Sequence, residues 1–105
     1  MSKVKYRIRA AAVKDLEGIW EYTFKKWSKE QADRYHGLII NEIEYIADNK
    51  TVGKDMGHVK EGYLVTYVKS HMILFKRQKG IVHVIRILHQ RMDIESNLKQ
   101  MKNRP

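Results

Sequence analysis

Cysteine is absent from these 105 residues, and proline occurs once, at Pro105. Without thiols the chain can build no disulfide framework and no thiolate metal site, and nothing marks an oxidising compartment; the expectation is a cytosolic protein without metal or cofactor. No apolar run approaches the ~20 residues that cross a bilayer. The opening MSKVKYRIRAAAVKDL is basic and then amphipathic, without the continuous apolar stretch of a signal peptide. A soluble, uncleaved protein with no membrane attachment is expected. Repeats, low-complexity stretches and interior prolines are missing too, so no linker divides the chain. One domain over 1–105 with a modest core is expected, its tail flexible from about residue 99.

Positive charge is what the chain has in quantity: 21 Lys and Arg against 12 Asp and Glu, a formal net charge of +9. Residues 1–27 hold seven bases and three acids, 28–53 three and five, and 54–105 eleven and four. A surplus at both ends favours an anionic partner, either nucleic acid or an acidic protein segment, and raises association rates at low salt. It carries no information on fold.

Val4 to Arg9 alternate apolar and basic, the period of a half-buried edge strand. From Ala11 to Trp27 the period changes: Val13, Leu16, Ile19, Trp20, Phe24 and Trp27 recur at three- and four-residue steps and make one helical stripe. Asp15 and Glu17 sit in its early turns, where the helix dipole favours negative charge, and Lys25-Lys26 at its end complement the other pole. Ser28 followed by Gln31 has the spacing of a capping box, and Ala32, Tyr35, Ile39, Ile43 and Ile46 form a second stripe behind it. Two helices joined this tightly predict an antiparallel hairpin on a sheet, with Trp20 and Trp27 as anchors between the layers and Trp27, at the helix end, partly exposed.

Residues 50–61 contain two glycines and no sustained period, which predicts a loop. YLVTYV (63–68), MILFKR (72–77) and IVHVIRILH (81–89) then predict a three-stranded antiparallel meander with short turns. The whole is an α+β domain of order β-α-α-β-β-β, and Asp93 to Leu98 predict a short terminal helix. With two-residue turns at 69–70 and 79–80, one sheet face holds Tyr63, Val65, Tyr67, Met72, Leu74, Ile85 and Ile87. The other holds Leu64, Val68, Ile73, Phe75, Val84 and Leu88 together with His71, Arg77 and Arg86. Only the second carries arginines, so the first is expected under the helix hairpin and the second as a groove open to a partner.

The stretches AAVKDLEGIWEYT (11–23), ADRY (32–35), GKDMG (53–57), LVTYVKSHMILF (64–75) and, above all, RILHQRMD (86–93) resemble the ParE branch of the RelE/ParE toxins. The resemblance runs over residues ~6 to ~98 and is strongest in DLEGIWEY and RILHQRMD in combination. Ala10-Ala11 stand where the family usually has a cap or proline, and the tail continues through KQMKNRP. What the resemblance implies is the toxin of a type II toxin–antitoxin pair, a helix hairpin against an antiparallel sheet. Such a toxin inhibits DNA gyrase by binding and is neutralised by a ParD-like antitoxin with a ribbon-helix-helix head, through which the complex contacts DNA indirectly. On that reading the gyrase-contact candidates are Arg86, His89, Arg91 and Met92. The antitoxin-groove candidates are Leu16, Trp20, Leu64, Ile73, Phe75, Arg77 and Val84, offered to an amphipathic, partly acidic segment.

The alternative is a RelE-like, ribosome-dependent mRNA endonuclease. Metal-free RNA cleavage needs a base, an acid and cations on the developing charge, for which His71, His83, His89, Arg77, Arg86 and Arg91 are the candidates. The tail beyond Phe75 has no Tyr, Trp or Phe to stack a base, which favours the non-catalytic reading. His83 reads better as a packed strand residue than as a base. His83 and His89 lie six residues apart on one strand, roughly 20 Å, too far to share a metal. Arg86 on a central strand needs solvent, a partner or a carboxylate, and Asp93 is the intramolecular mate that would lock the C-terminal segment over the sheet.

Overall fold

Alternation of apolar and basic residues makes Tyr6–Ile8 a strand, β1, in the computed structural model, which describes residues 5–90. Helix α1 (Ala10–Lys26) follows at once; its N-cap, Arg9, makes no side-chain capping bond, and Lys25 and Lys26 stand in its last turn. At the hairpin, Ser28 Oγ accepts a hydrogen bond from the Gln31 backbone N–H (3.1 Å), the local bond the capping-box spacing predicts, and α2 runs Lys29–Ala47. Along α2, Ile39, Ile43 and Ile46 recur every third or fourth residue and are fully buried, each worth ~1.5–3 kcal/mol of apolar burial.

After a loop come β2 (Lys54–Asp55), β3 (Leu64–Val68), β4 (His71–Gln78) and β5 (Ile81–His89). The sheet order is β1-β5-β4-β3-β2, with β1 parallel to β5 and the remaining pairs antiparallel. Both predicted two-residue turns are present, with Val68 facing His71 and Gln78 facing Ile81. Lys79 and Gly80 both have positive φ, the requirement of a type I′ hairpin. The predicted meander is therefore the centre of a five-stranded mixed sheet, and β2 lies in the stretch expected to be loop.

The expected assignment of faces is inverted. Leu16, Ile39, Ile43 and Ile46 of the helices pack with Ile73, Phe75, Val82, Val84 and Ile87, with Leu64 and Val68 against the same core. Tyr63, Leu74 and Ile85 form a separate cluster with Met56 and Val59. Leu64, Ile73, Phe75 and Val84 thus lie beneath the helices and do not line an open groove; Ile73, Phe75 and Val84 have no exposed surface. Alternation cannot choose between two apolar faces, which is why the pattern misled. A bulge also intervenes: Leu74 pairs with Arg86 while Phe75 pairs with Val84, so Ile85 is the extra residue. Past it the alternation resets, and Ile87 joins the helix-side core while Leu88 pairs with Met72.

Candidate interaction site

Helix α1 carries two features that the fold turns to account: a bond to β5 and a cleft shared with α2. Short β1 covers β5 only as far as Val84, whose carbonyl accepts from the Arg9 N–H (3.0 Å). Asp15 takes over beyond that point. Its Oδ2 accepts from Arg86 Nε (2.8 Å) and from the Ile87 backbone N–H (2.9 Å), and its Oδ1 accepts from Arg86 Nη2 (2.9 Å). The pair is largely sequestered, with side-chain exposures of 19% and 14%, and the hydrogen bonding of Arg86 to Asp15 raises the Arg86 pKa above its ordinary value. The mate expected for Arg86 was Asp93; that residue lies outside the described residues, as do Arg91 and Met92. Sequence offers Asp15 only as a partner of the helix dipole, because two residues 71 positions apart share no local signal.

The cleft is lined along α1 by Val13, Leu16, Glu17, Trp20, Glu21, Phe24 and Lys25 and along α2 by Asp33 and His36, with a volume of about 830 Å³. Trp20 and Phe24 stack with ring centroids 5.2 Å apart and planes 7° from parallel. The Trp20 indole N–H donates to Asp33 Oδ1 (2.9 Å), whose other oxygen accepts from Lys29 Nζ (2.9 Å). These two bonds, that from Lys29 the larger, lower the Asp33 pKa. Leu16 and Trp20, both expected to meet a partner, are therefore together, with Leu16 also part of the core. Trp27, expected as an anchor with part of its ring exposed, is 69% exposed at the hairpin tip.

Arg77, the remaining groove candidate, donates to the carbonyls of Ile46 (3.3 Å), Thr51 (2.8 Å) and Val52 (3.2 Å). It ties the C-terminal end of α2 to the following loop. At the start of β4, His71 Nδ1 is 2.6 Å from the Tyr35 hydroxyl, and the His89 ring sits 5.2 Å away, edge-on. Burial first, and the neighbouring His89 second, lower the His71 pKa. His83 is depressed as well, by burial and then by Arg9, Lys76 and Arg7 around it. No group of three or more His, Asp or Glu is arranged to hold a metal ion among the described residues, and no described helix is long and apolar enough to cross a membrane.

The sequence matches the family described as the ParE toxin of the type II toxin–antitoxin system, parDE, over residues 6–94. The chain belongs to the ParE toxin family. Among curated relatives of this ParE-family chain, Toxin ParE1 of Mycobacterium tuberculosis is 33% identical, with 90% of this chain and 97% of the relative covered. Toxin ParE1 of Caulobacter vibrioides is 33% identical, with 89% and 96% covered. Toxin ParE of Escherichia coli is 30% identical, with 89% and 91% covered. A solved chain from the chromosomal ParDE system of P. aeruginosa superposes with a TM-score of 0.70 at 14% identity, covering 82% of this chain and 95% of that one, a likeness of fold. The expected family and the α+β architecture both hold.

Proposed function

We propose that this ParE-family toxin inhibits DNA gyrase by binding, without chemistry of its own, and is neutralised in the cytoplasm by a ParD-like antitoxin. The antitoxin would carry a ribbon-helix-helix head and thereby link the complex to DNA. Its toxin-binding segment occupies the α1–α2 cleft at Leu16 and Trp20. Family membership supports the toxin–antitoxin pairing, and the related ParDE system supports an antitoxin as partner.

The observation that favours binding over RNA cleavage is the engagement of the candidate cations. A cleavage site needs arginines free to meet a developing phosphorane charge. Arg86 is held by Asp15 in a two-pronged bond, and Arg77 is spread over three carbonyls. His71 is likewise engaged, with Tyr35. Gyrase contact is assigned to His89, Arg91 and Met92 at the end of β5 and beyond, with Arg86 holding the strand end from behind. Should Asp93 also reach Arg86, it would act in the same supporting way.

The deciding experiment adds purified toxin to gyrase and follows supercoiling and accumulation of cleaved DNA. Inhibition at micromolar toxin is expected, and Arg91→Ala should relieve it while leaving antitoxin binding intact. Unchanged gyrase activity together with ribosome-dependent cuts in messenger RNA would replace this reading with the RelE-like one.

A further inference from the structure

The α1–α2 cleft has the opposite sign of charge to the molecule that carries it. On a chain of net charge +9, its rim holds Glu17, Glu21 and Asp33 against Lys25. Two of those carboxylates are already shared, Glu21 with Lys25 (3.4 Å) and Asp33 with Lys29 (2.9 Å). Glu17, one helical turn before Trp20, is exposed and has no ion pair or hydrogen bond among the described residues.

The floor is apolar and fixed in advance. Val13 and Phe24 are 41% and 46% exposed, and Trp20 is held by its stacking on Phe24 and its bond to Asp33. An aromatic wall that keeps its geometry before docking loses little freedom on binding, which is how such rings become anchors of an interface. From sequence, an apolar groove with basic edges suited a partly acidic segment; the cleft that forms calls for the reverse.

We propose that the cleft takes an amphipathic antitoxin segment bearing an arginine or lysine that pairs with Glu17, and that this pair selects the cognate antitoxin. The inference rests on the antitoxin reading above and adds the chemistry of the partner. Apolar side chains of the segment meet Leu16, Trp20 and Phe24, as an amphipathic helix does in a groove. The basic residue sits at the rim, where a charge governs encounter and partner choice more than total affinity. On a chain of net charge +9, an exposed carboxylate at this rim favours a basic residue of the partner at that point.

The test measures binding of the antitoxin encoded in the reading frame adjoining the gene for this chain, by calorimetry, to wild type, Glu17→Gln, Glu17→Lys and Trp20→Ala, with circular dichroism to verify folding. Glu17→Lys is expected to weaken binding about tenfold or more at low salt and less at high salt, with Glu17→Gln between. Changing the facing basic residue of the antitoxin to Glu should restore affinity for Glu17→Lys. If Trp20→Ala weakens binding while both Glu17 variants bind as wild type, or if Glu17→Lys binds more tightly, the charge inference is overturned and the antitoxin reading stands. If the wild-type toxin does not bind the antitoxin, both fall. Self-association of the toxin that Glu17→Lys abolishes would make a second copy the occupant and overturn the inference.

Discussion

Asp15 on α1 grips Arg86 on β5 through both carboxylate oxygens and, with one of them, also accepts the Ile87 backbone N–H. One side chain therefore neutralises a shielded cation and finishes a strand edge that short β1 leaves uncovered. Removing the carboxylate takes from Arg86 its two-pronged bond, and breaking such a pair costs ~3–5 kcal/mol when burial is complete. At the exposure seen here, Asp15→Ala is expected to lose ~2–3 kcal/mol in urea unfolding, from the Arg86 charge and the orphaned N–H together. The double variant Asp15→Leu with Arg86→Met should recover most of that loss. A single variant as stable as wild type would show that the bond contributes nothing.

Gly53 has φ +90, and a Cβ added there would lie 2.6 Å from Phe75 Cζ, in a ring with no exposed surface. Gly53→Ala combines an unfavourable backbone angle with a clash in the core, and ~2–4 kcal/mol of destabilisation is expected. Pairing it with Phe75→Leu should give less than the sum of the two single costs, because the clash is removed and the angle is not. Strict additivity would mean that the ring contact plays no part.

Arg77 should behave as an organiser of the chain between α2 and β2. Arg77→Met removes hydrogen bonds to three carbonyls, and a loss of ~1–2 kcal/mol is expected, with faster amide exchange across residues 47–53. Arg77→Lys should recover only part of it, since a compact ammonium cannot span the positions reached by a planar fork. Unaltered exchange in Arg77→Met would overturn this role.

The histidines give the stability a defined pH slope. His71 in the folded protein has its pKa lowered from 6.5, by burial and then by His89. The unfolded chain takes up a proton through that ordinary value while the folded chain resists it. Stability is thus unaffected by His71 well above pH 6.5 and declines as pH falls below 6.5 toward the lowered folded value. His83 is shifted in the same direction and adds a slope of the same sign. Unfolding of wild type, His71→Gln and His83→Gln between about pH 7.5 and 5.5 separates the two contributions. An equal slope in wild type and His71→Gln would exclude a contribution from His71.

Local features of this fold were legible because their causes are local. The Ser28 cap, the α1 and α2 stripes, and the turns at 69–70 and 79–80 each rest on a few adjacent residues. β2 escaped because two residues cannot display a period. The choice of face escaped because both faces of the meander are apolar, and the Ile85 bulge removes the alternation on which any register argument depends. Leu16 and Trp20 share one helical stripe and so line the same cleft, while Leu64, Ile73, Phe75 and Val84 belong to the core beneath the helices. The partners that give the site its character, Asp15 for Arg86 and Asp33 for Trp20, come from other elements. Only the tertiary fold brings them near.

The parallel seat of β1 beside β5 has a consequence for how the toxin comes into being. Tyr6 and Ile8 are synthesised well before their partners Val82 and Val84, which are among the last described residues to follow. Until β5 emerges, β1 has no neighbour, Asp15 has no arginine, and the helices have only part of the sheet to cover. Closing so distant a contact is also the slow step expected of a topology that pairs strands so far apart in sequence. The nascent toxin is therefore assembled late and as a unit, which leaves an interval of synthesis in which a partner can be waiting before the sheet is complete.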